Sequence, residues 1–203
     1  MGAVERRERE KAAFREQVLE AARKIVLKEG FEALTMRRIA DAIEYAPGTI
    51  YLYFKSRDEI AAELTQRGFE ELLRAFAPAA RVIDPVKRLN KLGELYIKFG
   101  LEHPEAYRLI FMESYTAAVF DAKATSNVGE RALQFLVRAF DELREQGKLA
   151  TAAPSAQLAD VFWSAVHGIV SLKLTCSGRY PETPTDELLH LMQSVTLRGI
   201  LKG

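Results

Sequence analysis

The chain has 203 residues, of which 48% are hydrophobic, and carries a formal net charge of +1. This length accommodates one or two domains. The apolar fraction excludes disorder of the whole chain, and the near-neutral balance excludes strong general attraction to nucleic acid, so a polyanion would have to be met by a local patch. Lone Cys176 has no internal disulfide partner, which fits a reducing cytoplasm, and its small or apolar neighbours point to a buried side chain. The first residues are charged with no apolar leader after them, and no apolar run reaches the ~20 residues of a membrane span.

Residues 1–11 are dense in Arg and Glu and read as solvated, frayed helix, with a phosphate-touching basic arm as the alternative. Phe14, Val18, Ala21, Ala22 and Ile25 recur at helical spacing, and Gly30 ends that helix. Thr35 stands as the N-cap of the next helix, whose apolar side is Ile39, Ala40 and Ile43. The period breaks at Glu44, Tyr45 and Ala46. Pro47 then suits a first helical position, because its missing N–H would have no partner there. Ile50 and Phe54 face inward, leaving Thr49, Tyr51, Tyr53 and Lys55 outward. Ser56 and Glu59 form a capping box for a further helix. Two short helices around a tight turn make a helix-turn-helix, which places its second helix in the major groove of DNA. Between residues 35 and 57, Arg37, Arg38, Lys55 and Arg57 stand against Asp41 and Glu44, a modest local excess of positive charge.

The helix after Ser56 continues through Ile60, Leu64, Leu72, Leu73 and Phe76 to about residue 77, where Pro78 interrupts it. Residues 81–83 form a candidate boundary, and Asp84-Pro85 restarts helix. Val86, Leu89, Leu92, Tyr96 and Phe99 make one stripe, Tyr107, Ile110, Phe111 and Tyr115 another, and Val128, Ala132, Phe135, Leu136, Ala139 and Leu143 a third, closed by Gly147. Pro154 opens a helix in which Lys173 is the only formally charged residue from 161 to 176. Such a helix needs cover on more than one side. The last helix begins near Thr185, Asp186 and Glu187 and carries the stripe Leu188, Leu191, Met192 and Val195. Two helices from each of two subunits would make a four-helix interface. Its expected residues are Val166, Val170, Leu174, Leu188, Leu191, Met192 and Val195. The fold class is all-α: a helix-turn-helix domain at 1–60, its connecting helix reaching to about 77, and a helical body at 84–203.

His103, His167 and His190 are not paired at helical spacing, and no Cys/His cluster has metal-ligand spacing. No glycine-rich phosphate loop or nucleophile elbow is present. The expectation is no enzyme, no catalytic residue, no cofactor and no metal. Tyr96, Phe99, Tyr107, Phe111, Met112, Tyr115, Phe135, Trp163 and His167 are candidates to line a cavity for a mostly apolar small molecule, each also readable as core.

Thr35, Ile39-Ala40, Gly48-Thr49-Ile50-Tyr51-Leu52-Tyr53-Phe54, Ser56-Arg57 and Ile60 resemble the DNA-binding signature of the TetR family of one-component bacterial regulators. The chain departs from that pattern in the turn: Glu44, Tyr45 and Ala46 stand where the family often has Gly, an aliphatic residue and Ser. The segment from Trp163 to Gly168 resembles a tryptophan-histidine-glycine signature of one subgroup of its C-terminal domains. There His167 is either a core histidine or a polar handle for ligand. The resemblance implies a cytoplasmic homodimer on a palindromic operator of double-stranded DNA, released by a small-molecule inducer. Thr35, Arg37, Tyr53 and Lys55 would meet phosphates, and Pro47, Gly48, Thr49 and Tyr51 base edges or sugars; Arg38 is a further DNA-binding candidate, and the Tyr45 hydroxyl either reaches a phosphate or packs. The alternative is a ligand-independent DNA-binding or adaptor protein whose body only dimerises.

Overall fold

The computed structural model describes residues 2–112, 123–176 and 182–202. The helices are α1 (Ala3–Glu29), α2 (Met36–Ala42), α3 (Pro47–Tyr51), α4 (Arg57–Phe76), α5 (Pro85–Glu102), α6 (Pro104–Phe111), α7 (Lys123–Glu145), α8 (Ser155–Thr175) and α9 (Thr185–Ile200), with 3-10 turns at Phe31–Ala33 and Ala77–Arg81. Extended pairing among the described residues is confined to one isolated bridge, Leu149 with Leu201. The architecture is therefore all-α. Two compact units result: Met1–Gly68 with Tyr107–Asn127, and Phe69–Ala106 with Val128–Gly203. Both α4 and α6 run across a division between them.

In the first unit, local chemistry sets the helix ends. The charged run is helical from Ala3, and the Gly2 N–H donates to Glu5 Oε2 at 3.1 Å. Gly30, at φ 81°, ends α1 in backbone that a side chain would strain. Thr35 Oγ1 accepts from the Arg38 N–H at 3.1 Å and caps α2. Ser56 Oγ accepts from the Glu59 N–H at 3.2 Å, and the Glu59 carboxylate accepts from the Lys55 N–H at 2.7 Å. The capping box is thus displaced by one residue from the reciprocal form expected of Ser56 and Glu59, which bonds the carboxylate to the cap residue itself. Val18, Leu19, Ala22 and Val26 of α1 meet Ile39 and Ala40 of α2, Ile50 of α3, Phe54, Ile60 of α4 and Leu109 of α6 in one buried core. A helix as short as α3 is marginal alone; Ile50 and Phe54, both buried, tie it to that core.

In the second unit α5 packs on α8, and α9 packs on both. Asp84 caps α5 by accepting from the Lys87 N–H at 2.9 Å. Phe140 and Phe162 are fully buried and meet edge to face at 6.5 Å. Arg88 pairs with Glu142 across α5 and α7. On α9 the buried positions are Leu189, Gln193, Leu197 and Ile200. Gly93 explains the polar member: a Cβ there would lie 2.7 Å from Gln193 Nε2, so its absence lets the amide cross to donate to the Asn90 carbonyl at 2.9 Å. Cys176, expected to be buried, is half-buried.

Candidate nucleic-acid interface

The outward surface of the first unit is built around α3. Thr35, Arg37, Tyr45, Pro47, Gly48, Tyr51 and Lys55 are exposed, and Thr49 is half-buried. Tyr51 is 55% exposed, and nothing lies within 4 Å of where a Gly48 Cβ would stand, so a bulky surface can approach this end of the helix closely. Ala46 occupies the N-cap position of α3 with no side-chain cap, and Pro47 follows it at the start of the helix. Leu52, 79% exposed beside Tyr51, was not among the expected contacts. An exposed leucine there has the chemistry to meet a thymine methyl. Its place at the helix C-cap, outside the regular period, is why spacing did not single it out.

Two of the expected contacts have partners within the protein. Arg38 donates through Nη2 to Glu29 Oε1 at 2.7 Å and through Nη1 to the Ala33 carbonyl at 3.4 Å, so its guanidinium clamps α2 to the end of α1. Its hydrogen bond to Glu29 holds that carboxyl below its ordinary pKa. Tyr53 does not stand clear of the protein: it is half-buried with its ring 4.5 Å from that of Phe14, which also meets Tyr45 edge to face at 5.0 Å. Both side chains meet a partner on α1 that a short spacing pattern does not contain.

Glu44 turns the chain between α2 and α3 at φ 60°, the left-handed region that glycine adopts freely. For another residue this conformation costs about 1–2 kcal/mol. Glu44→Gly is therefore expected to relieve strain and to remove a carboxylate from the surface around α3. The gain is expected as a several-fold rise in duplex affinity at low salt that fades at high salt, measured by fluorescence anisotropy.

The expected cavity residues do not form one set. Tyr107 is fully buried and meets Phe111 at 5.1 Å in the first unit, where Met112 is half-buried; Tyr115 lies outside the described residues. In the second unit Phe135 meets Phe76 at 5.9 Å, and Phe99 meets His103 at 5.6 Å. Tyr96, Trp163 and His167 come together. Trp163 Nε1 lies 3.2 Å from the Tyr96 hydroxyl, which lies 2.9 Å from His167 Nδ1. Indole N–H can only donate, so the Tyr96 oxygen accepts from it, while the tautomer of His167 decides which of Nδ1 and the hydroxyl donates to the other. Burial lowers the His167 pKa from its ordinary value.

Above both pKa values the ring is neutral folded and unfolded, and stability is full. As pH falls through the unfolded value, about 6.5, the unfolded chain takes up a proton that the folded chain resists, and stability is lost. The Tm is expected to fall between about pH 7.5 and pH 5.5, less steeply in His167→Gln than in wild type, by calorimetry.

The expected dimer residues divide as well. Val166 and Val170 are buried against the chain's own core and are not available to a second subunit; α8 is apolar nearly all round, so its sequence does not say which side turns inward. Leu174, Leu188 and Met192 are half-buried. Leu191 and Val195 are 59% and 65% exposed, and Val161 and Leu172 are exposed on α8.

A capped, two-helix DNA-facing surface on an all-helical chain defines a helix-turn-helix regulator. Residues 18–64 match the family described as bacterial regulatory proteins, tetR family, and residues 89–195 match the tetracyclin repressor-like C-terminal domain. The chain belongs to the TetR family of regulators. It is 33% identical over 91 residues to the HTH-type transcriptional repressor KstR of Mycobacterium tuberculosis, a stretch covering 44% of this chain and 39% of that one. To the uncharacterized HTH-type transcriptional regulator YvkB of Bacillus subtilis it is 24% identical over 187 residues, covering 91% of this chain and 95% of that one. The first curated relatives, in Haemophilus influenzae and Bacillus subtilis, are matched over only 32% and 31% of their lengths. Among solved structures, KstR2 of Mycobacterium tuberculosis, described as a ketosteroid transcriptional regulator, superposes with a TM-score of 0.66 at 19% identity, covering 93% of this chain and 95% of that one. AibR, solved in complex with isovaleryl coenzyme A and operator DNA, superposes with a TM-score of 0.69 at 16% identity, covering 89% of this chain and 96% of that one.

Proposed function

We propose that the protein is a cytoplasmic, dimeric transcriptional repressor that leaves a palindromic operator when a small, mostly apolar molecule binds its body. The observation that carries the reading is the open α3 face, with exposed Tyr51 beside unobstructed Gly48 and the cations Arg37 and Lys55 flanking it. Thr35, Arg37 and Lys55 position the protein on phosphates, while Pro47, Gly48, Thr49 and Tyr51 meet base edges or sugars. Tyr45 is exposed enough to join the phosphate contacts. The working division is a DNA-binding domain at 1–60, with α4 leading out of it, and a ligand-binding and dimerisation domain at 84–203. Among the described residues no helix is long and apolar enough to cross a membrane.

The proposed interface uses the exposed apolar residues of α8 and α9, with Leu174, Leu188 and Met192 at its margin. Gly168 and Gly199 have nothing within 4 Å of an added Cβ, which leaves room for close approach of a second subunit. The inducer is proposed to meet the Tyr96–Trp163–His167 cluster, which supplies a fixed polar point among apolar rings. Phe99 and Phe135 are the further candidates in the same unit. Among structural neighbours, AibR was solved with isovaleryl coenzyme A, whose acyl group is a short branched apolar chain, and KstR2 is described as a ketosteroid transcriptional regulator.

The test is a gel shift on a duplex enriched from a random library by the full chain, with Tyr51→Ala beside wild type. Loss of one base-edge contact typically costs about 1–3 kcal/mol, so Tyr51→Ala is expected to weaken binding roughly ten- to a hundredfold. Unchanged affinity removes α3 from the role of recognition helix.

A further inference from the structure

We propose that Arg15 of α1 is a positioning residue for DNA recognition: it sets the placement of the recognition helix and locks that placement to α4. This rests on the reading that α3 meets DNA. The side chain makes three contacts at once. Nη1 donates to the Tyr53 carbonyl at 2.6 Å, Nη2 donates to Glu63 Oε2 at 2.5 Å, and the guanidinium carbon stands 4.0 Å from the centre of the Phe54 ring. One group thus grips the segment just after α3 by its backbone and by its buried ring, and holds a carboxylate of α4.

The carboxylate is itself held. Glu63 Oε1 accepts from Arg67 Nη2 at 2.9 Å, and Arg67 Nη1 donates to Glu16 Oε2 at 2.6 Å. Glu16 follows Arg15 on α1, so the chain Arg15, Glu63, Arg67, Glu16 leaves α1, crosses to α4, climbs one turn and returns. Four alternating charges joined by three ion pairs, with both ends anchored on α1, resist sliding of α4 along α1 more than a single pair does, because any slide breaks two cross-helix contacts together. A displacement of α4 then reaches Tyr53 through Arg15 instead of being absorbed in the intervening loop. Tyr51, Lys55 and the start of α4 move as one.

Only arginine fits the position. A planar fork can serve a carbonyl and a carboxylate in different directions while its face lies on an aromatic ring, whereas an ammonium is a single point charge. Both terminal nitrogens of Arg15 are already committed to acceptors on the protein, so Arg15 acts on DNA through α3 and not through a phosphate.

The experiment compares full-length wild type, Arg15→Ala, Arg15→Lys and Glu63→Gln by two readouts: amide hydrogen exchange without DNA, and affinity for the enriched duplex across a salt series. In Arg15→Ala, amides of residues 50–54 are expected to exchange about tenfold faster while those of α1 near Leu19 and Ala22 are unchanged. Duplex affinity is expected to fall about tenfold, equal to about 1.4 kcal/mol, with the salt slope unaltered. Arg15→Lys should restore neither. Wild-type exchange at 50–54 in Arg15→Ala, restoration by lysine, or a salt slope reduced by about one, the mark of a lost phosphate contact, each overturns the proposal. Should Arg15→Ala fail to fold, Glu63→Gln keeps the side-chain shape and carries the same test: faster exchange at 50–54 supports the coupling and wild-type exchange refutes it. If wild type selects no duplex, the DNA-binding reading fails, and the exchange measurement still decides the coupling.

Discussion

Replacing Leu191 and Val195 together with glutamate is expected to turn the proposed dimer into a monomer and to weaken binding to the proposed operator by about a hundred- to ten-thousandfold, the factor gained when a second binding event becomes intramolecular. Both side chains are more than half exposed on α9, so each carboxylate stays solvated in the free subunit and the fold is retained. In a two-fold interface every substitution occurs twice, and four like charges would meet on a surface that is otherwise apolar. Ultracentrifugation should report one subunit at micromolar concentration, and circular dichroism should be unchanged. A double variant that remains dimeric places the interface elsewhere on the body.

The second large effect is expected at Phe54. Its ring is buried where α1, α3 and α4 meet, and it carries the guanidinium of Arg15 on one face. Truncating a buried phenylalanine to alanine costs about 3–5 kcal/mol. Against a total domain stability of about 5–15 kcal/mol, that is enough to threaten the first unit. Phe54→Ala is expected to lose sequence-selective binding and to show an early melting transition by calorimetry. The dimer contacts proposed on α8 and α9 belong to the other unit and should survive. Normal melting together with normal DNA affinity would mean that α3 is held by something other than this core.

Local signals were the legible ones. Thr35, Asp84-Pro85, Pro47, Gly30 and Gly147 each act through their own backbone or that of a residue a few places away, and they mark the helix ends where the structure has them. Ser56 and Glu59 were legible as a cap, though the carboxylate bonds one residue earlier than the pattern implies. Partners far along the chain were not legible. Nothing near Arg38 announces that it will pair with Glu29, and nothing near Tyr53 announces Phe14; those contacts exist only once α1 lies against α2 and α3. On α9 two interleaved stripes satisfy helical spacing: Leu188, Leu191, Met192 and Val195, and the buried Leu189, Gln193, Leu197 and Ile200. The first was legible and is the one assigned to the interface, while the inward row was not, because glutamine breaks it. The gap left by Gly93 on α5 gives that glutamine a buried partner.

The central claim is that α3 and its twin in a second subunit read two symmetric half-sites. Selection of a random duplex library by the full-length wild-type protein, followed by sequencing of what is retained, tests it most directly. The expected product is an inverted repeat whose half-sites lie about 34–36 Å apart, one turn of DNA. A retained pool no different in sequence from the starting library would contradict it.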